Sequence, residues 1–550
     1  MRFQIRILVF FLAATVIALS DARAATNVWT NTVGGAWEDA ASWSQSSVPD
    51  ATDQVRVGSN GSYTVTLGSS AVNTVPNSLT NDTLSIHGFG SGSPTLLLTY
   101  TNAATFRVEN DVDIGNGTLT FNAPNGVFEI STIHPDGLIF NTTSFGTQGV
   151  LNVQAGTFHS GSRMIMASAV GTRSIINVTG GTLVNRGNIR VGNNSLGEIN
   201  IVGGEAVFGQ GIVGYVAGAT GRIELVSGRM WLTNTASGTL GIGSGTYDSA
   251  NHGYGELILH SGNFFSGNNT ILAVGSGVAA TGGGGVGVMN VYGGDHTNFA
   301  RIFVASSINS TGTVLLADGN WTGGSTWFIG SGSNAFARLT ISNASYKTLN
   351  HSSGVMNLGD GNYSAGELNL AGGELLMTNS IGTTAESYVS VGSGSNAVAR
   401  LNVTGGRMAI LNQGGLFIGT GNPAFGATTT NIAGTAEVTL TGGRVELRRV
   451  VAAGTGVLSN RAGGLLQFVT ADNVSGPASQ LVVDGGTLSY KNYGALNVTG
   501  AVAKFSVVSG SGLQLDSSTN VNIAGTFTLT RRGRQLQRTF AHGHSPPVEQ

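Results

Sequence analysis

The chain has 550 residues, 40% of them hydrophobic and only 10% charged, with 86 Gly, 9 Pro and no Cys. Its 26 basic and 28 acidic residues leave a formal net charge of −2, so no large field exists to draw nucleic acid or an anionic membrane. The missing cysteine excludes disulfides, thiolate catalysis and Cys-ligated zinc. The apolar content argues against a disordered polar tract, and glycines without a three-residue period exclude collagen.

Residues 1–25 read MRFQIRILVFFLAATVIALSDARAA. Arg2 and Arg6 form a positive start, residues 7–19 an apolar stretch, and Ala22-Arg23-Ala24 a small-x-small cleavage pattern. The spacing predicts a signal peptide. An uncleaved anchor is the alternative, but the run is short of the ~20 residues of a bilayer span. No later run reaches that length, so the mature chain is expected to be exported without a transmembrane segment. The destination is the outer surface or the medium, with the periplasm as a further option.

Residues 26–100 are expected to hold an N-terminal cap and the first coils. Trp29, Trp37 and Trp43 cluster ahead of Pro49, and regular alternation begins at Gln54. These aromatics suit a cover for the open end of a β core, because an unpaired β end must be hidden. The competing reading is a platform on which sugar rings stack.

Residues 101–530 are governed by a repeat. LNVTGGRMAI from Leu401 has near copies in INVTGGTLV from Ile176, INIVGGEAVF from Ile199, LNLAGGELLM from Leu368 and VTLTGGRVEL from Val438. A second element, ending in Ile/Val-Gly-x-Gly, alternates with it in FIGSG from Phe328, SVGSG from Ser390 and FIGTG from Phe417. The turn markers Gly156, Gly181, Gly204 and Gly228 fall at steps of 25, 23 and 24 residues. In LNVTGG, Leu401 and Val403 point one way and Asn402 the other, which is the period-two signature of a half-buried strand. Several short strands per coil describe an all-β, right-handed parallel β-helix. Coils of roughly 21–25 residues, with occasional loop insertions, would number on the order of 20. Glycine fits the corners, where φ turns positive or coils approach closely.

Residues 531–550 read RRGRQLQRTFAHGHSPPVEQ and are expected to form a basic, disordered tail.

The tryptophan-rich opening, with GGAW and SW ahead of Pro49, joined to the LNVTGG and VGxG repeats, resembles the passenger-like β-helix repeat proteins of Gram-negative bacteria. These carry autotransporter-associated repeats and are also found with PEP-CTERM sorting tails. The resemblance covers nearly all of the mature chain. It implies a right-handed parallel β-helix at or beyond the cell surface, in a structural or adhesive role. In that family pattern an autotransporter has a C-terminal membrane barrel. A PEP-CTERM protein ends in its motif, an apolar helix and a basic cluster. Here the repeats run to about residue 530 and Arg531-Arg532 stand without motif or helix, so the anchoring mode is unassigned.

Catalysis on such a scaffold would need acids recurring at one rung position. Counted from the turn marker, Glu198 falls opposite Arg222 and Asn200 opposite Glu224, while the equivalents of Glu198 are Glu367 and Glu437, several coils away. The irregular segment around Asp248, His252, Glu256 and His260 has no metal-ligand spacing. Asp295-His296 follows a GG turn without a partner motif, and residues 279–287 lack the phosphate-loop pattern. The residues therefore nominate no catalytic, cofactor-binding or metal site. Asn177, Asn200, Asn369, Asn402 and Asn497 are read as sharing one outward slot, where stacked amides would form ladders. The expectation is a non-catalytic structural or adhesive protein whose partner is a surface polysaccharide or another surface protein, and not nucleic acid. A polysaccharide-binding or polysaccharide-degrading protein on the same scaffold is the alternative.

Overall fold

The structure is a computed structural model. It describes residues 25–540 except 69–75, 77, 90, 132–136, 141–147, 234–237, 244–252, 268–269, 277–283, 299–300, 324–325, 349–354, 378–386, 411–414, 420–433, 448–449, 453–455, 461–463, 469–473, 476–479, 484–486, 491–494, 500–503, 508–511, 516–519, 524 and 532–533. Its side chains are described as far as Leu466.

Strand follows strand at corners, and each coil stacks on the one before, which gives a right-handed parallel β-helix with three ladders. Ladder one runs from Thr26–Val28 to Asn520–Ile523 and carries the Val-Gly-x-Gly element. Ladder two runs from Gly35–Ala36 through Val398–Val403 to Gly525–Arg531 and carries the LNV element. Ladder three runs from Ser78–Asn81 through Arg407–Ile410 to Gly512–Leu515.

The repeat is what stacks. Leu401 lies in register between Leu368 and Val438, and Ile199 between Ile176 and Ile223. The register sets the coil length directly: 20 residues separate Val438 from Leu458, 24 separate Ile199 from Ile223, and 37 separate Leu401 from Val438. The ladders stay continuous across coils of different length.

Alternation decides which side chains enter the core. In Val398–Val403 the burial alternates, with Ala399, Leu401 and Val403 fully buried and Val398, Arg400 and Asn402 outside. Each inward aliphatic rests on its equivalents above and below, forming one continuous core cluster from Trp29 to Leu466. Phenylalanines stack the same way inside ladder three, with Phe106–Phe128 at 5.3 Å and Phe128–Phe158 at 4.6 Å.

The three tryptophans close the first coil. Trp29, Trp37 and Trp43 are 0–1% exposed and meet edge to face, at 5.1 Å for Trp29–Trp43 and 4.8 Å for Trp37–Trp43. The Trp43 indole N–H donates to the Trp37 carbonyl at 2.8 Å, so the polar edge is satisfied without water. Rings buried to this degree present no face on which a sugar could stack.

The corners need glycine for two separate reasons. Gly406 has φ of +68°, and a Cβ there would lie 2.5 Å from the Gly373 carbonyl oxygen of the previous coil. Gly392, in the other motif, has φ of +71°, with Ala436 in the way of a Cβ at 2.8 Å.

Within the expected tail, Arg534–Phe540 forms a strand antiparallel to Gly525–Arg531 with Leu536 opposite Leu529, and residues 541–550 lie outside the described residues. The last parallel strand offers a row of free N–H and C=O groups, and a chain that reverses at once has room only for antiparallel pairing.

Candidate functional site

A concentration of polar chemistry lies on the outer wall of ladder two, where the strands from Arg173–Val178 to Thr435–Leu440 present three outward positions. The second of these carries charge. In rung order it holds Glu198, Arg222 and Glu256, then Val288 and Thr313, then Arg338, Glu367, Arg400 and Glu437. The sequence count placed Glu198 opposite Arg222 correctly. It missed Glu256, because 34 residues separate Ile223 from Leu257 and the inserted loop destroys the marker spacing. Acids do recur at one rung position, and the basic residues alternate with them.

The charges pair along the column. Arg338 Nε lies 2.8 Å from Glu367 Oε2, and Arg400 Nε 3.3 Å from Glu437 Oε2. Arg173, at the strand start one coil earlier, holds Glu198 at 2.5 Å. These are half-exposed surface pairs, each worth ~0–1 kcal/mol. Their role is to leave no carboxylate facing another.

The third outward position carries amides in two runs, separated by rungs that hold Glu224, Ile258, Asn290, Leu315 and Thr340. Asn152 Nδ2 donates to Thr120 Oγ1 at 3.2 Å, Asn177 Nδ2 to Asn152 Oδ1 at 2.9 Å and Asn200 Nδ2 to Asn177 Oδ1 at 3.0 Å. Asn402 repeats the contact on Asn369 at 2.9 Å. Asn497 does not belong to this column: its register partner is Asn522, on ladder one. The LNV triplet is too short to specify a wall by itself.

One part of this wall gathers acid and base. Arg222 Nη2 lies 3.0 Å from Glu224 Oε2, and its Nε 3.6 Å from Glu256 Oε2 in the next coil. His260 Nε2 lies 2.8 Å from the other oxygen of Glu224, and its ring stacks on Tyr292 at 5.5 Å. Burial and the nearby Glu256 carboxylate push the Tyr254 phenol up. The sequence had flagged Glu256 and His260 on the irregular segment, and the coil stacking brings them to Arg222 and Glu224. Asp248 and His252 lie outside the described residues.

Glycosidic cleavage needs one carboxyl to protonate the leaving oxygen and a second to attack or to activate water. Here both Glu224 oxygens are occupied, one by Arg222 and one by His260, and the guanidinium sits between the two carboxylates. The arrangement suits charge pairing between coils better than proton transfer. Among the described residues no group of three or more His, Cys, Asp or Glu could hold a metal ion.

Other acids and histidines are dispersed. Asp295 accepts from Asn320 Nδ2 at 2.8 Å on the outer wall of ladder three, and Asp360 accepts from Ser393 Oγ at 2.6 Å at a corner. His296 points inward and is 2% exposed. Its Nδ1 accepts the Phe264 N–H at 3.2 Å and its Nε2 lies 2.7 Å from the Gly293 carbonyl, so the imidazole is a neutral core residue bonded at both nitrogens. Sequence reasoning also overlooked a pair on ladder one, where His87 Nε2 lies 2.9 Å from Asp113 Oδ2. Only the register of neighbouring coils reveals it.

The fold and wall together define a parallel β-helix scaffold, with charges and amides on one outer wall paired between coils. No protein family, no curated protein and no solved structure matches the chain. No helix among the described residues is long and apolar enough to cross a membrane, which says nothing of a β-barrel.

Proposed function

We propose that the protein is an exported structural or adhesive rod of the bacterial cell surface. The observation that carries this reading is the outer wall of ladder two, where amides and charges are paired from coil to coil. A wall of that kind presents a long, repetitive, charge-balanced surface, suited to many weak contacts with a polysaccharide or another surface protein. The export pattern of residues 1–25 and the resemblance to autotransporter-associated and PEP-CTERM-type repeat proteins support the location.

The second reading is a secreted protein that binds or cleaves a polysaccharide at the cluster of Arg222, Glu224, Glu256 and His260. It is favoured by acids and a base from adjacent coils converging at one place.

Fractionation of native cells tests the two. Recovery from the surface by mild shaving is the expected result. Free protein in the medium would count against the rod, and polysaccharide cleavage abolished by Glu224→Gln would replace it with the enzyme.

A further inference from the structure

The outer wall of ladder two has a symmetry that pairing within one chain does not require. Take the eight rungs from Leu196 to Val398. The charge column reads Glu198, Arg222, Glu256, then the neutral Val288 and Thr313, then Arg338, Glu367, Arg400. Inverting the order about the midpoint of Val288 and Thr313 exchanges every acid with a base. Alternation alone would allow several centres. The neutral pair selects one.

The adjacent outward column obeys the same centre. It holds exposed apolar side chains, with Tyr254, Val286 and Phe336 each 38% exposed and Val398 36%. Inversion about the midpoint of Val286 and Thr311 places Tyr254 on the position of Phe336, and Leu196 on that of Val398. Two apolar pairs exchange, Tyr254 with Phe336 and Leu196 with Val398, while Val286 falls on Thr311 and Thr220 on Ala365.

The geometry points to a second copy of this chain as the occupant of this face, in an antiparallel, face-to-face dimer. When two such walls meet with their axes reversed, the two-fold axis runs along the strand direction and every column meets itself inverted. That contact is isologous and closes on itself. Glu256 then faces the partner's Arg338, Arg222 the partner's Glu367, and Glu198 the partner's Arg400. Tyr254 packs on the partner's Phe336 and Val286 on the partner's Thr311. A copy laid parallel and in register would set like charge on like charge at all six charged rungs.

The area is adequate. Eight rungs at about 4.8 Å and strands of about 18 Å give a patch of about 700 Å² per partner, close to the ~800 Å² per side of a standard interface. Flat parallel sheets also stack face to face at about 10 Å. The inference rests on the register and holds whether the rod is structural or adhesive.

The cysteine-free chain makes the register directly testable. Sedimentation of the full secreted chain is expected to show a dimer that weakens in high salt. Tyr254→Cys with Phe336→Cys should give a covalent dimer with a thiol cross-linker that spans about 5 Å, because facing sheets about 10 Å apart lie beyond the reach of a direct disulfide. Either substitution alone should not, because each then lies about 14 Å along the axis from its own copy in the partner. Tyr254→Cys with Val398→Cys, two rungs out of register, should also fail. Phe336→Glu should weaken dimerisation at least tenfold with an unchanged circular dichroism spectrum. A monomer at every concentration, a cross-link from a single or out-of-register variant, or full dimerisation of Phe336→Glu overturns the proposal.

Discussion

The amide of Asn402 lies one coil above that of Asn369, with Nδ2 donating to Oδ1 at 2.9 Å, beside a Leu401 that rests on Leu368 inside the wall. One strand thus holds an outer contact that water could replace and an inner one that it could not. The two should differ in what their loss costs.

Leu401→Ala opens a cavity in a fully buried column, and deletions of this kind cost ~2–5 kcal/mol. In a solenoid each coil touches only its neighbours, so the loss should be local. Amide exchange should accelerate in residues 365–440 and leave residues 151–213 unchanged.

Asn177→Ala removes two amide contacts, to Asn152 and from Asn200, at partners still reached by solvent. Each net hydrogen bond is worth ~1 kcal/mol at most in such a setting. Protection of residues 152, 177 and 200 should fall by at most about thirtyfold, no more than the smallest loss expected from Leu401→Ala.

Gly406→Ala should cost at least ~2 kcal/mol, because a left-handed backbone and a close carbonyl penalise the same methyl. The new Cβ would lie 2.5 Å from the Gly373 oxygen. Amide exchange around 370–410 measures the effect, and a neutral result would contradict the observed corner.

His296 should make folding sensitive to acid. Burial lowers its folded pKa below the ordinary 6.5, with the Gly293 hydrogen bond and the Asp295 charge opposing. The unfolded chain therefore binds the extra proton first, so this contribution is present above about pH 6.5 and is lost as pH falls toward the folded value. Protonation would also direct an Nδ1 proton at the Phe264 N–H. Denaturant unfolding of coils 260–325 should weaken from pH 7.5 to 5, and His296→Gln should remove most of that slope.

Much of this architecture is legible in the amino-acid order. Leu401 and Val403 on one side and Asn402 on the other declare a strand, and the GG pair declares the corner. The Asn177–Asn200 contact and the Glu198–Arg222 register also follow by counting, because those coils hold their length at 23 and 24 residues.

Counting fails where coil length changes. Glu256 stands in the same column as Glu198, yet a longer coil hides it. Asn497 sits in an LNV triplet and still belongs to another wall, because three residues cannot say which side of the coil they occupy. His296 and Asp295 are adjacent in sequence and differ completely in environment.

The sequence by itself determined the strand period, the glycine corners and therefore the β-helix, since these are local properties of alternation and φ. Only the tertiary structure decided which coils face which. Register is a sum over all intervening residues, and each inserted residue shifts it without altering any local pattern. The meeting of Arg222, Glu224, Glu256 and His260, and the inverted symmetry of the wall they share, exist only once that sum is fixed.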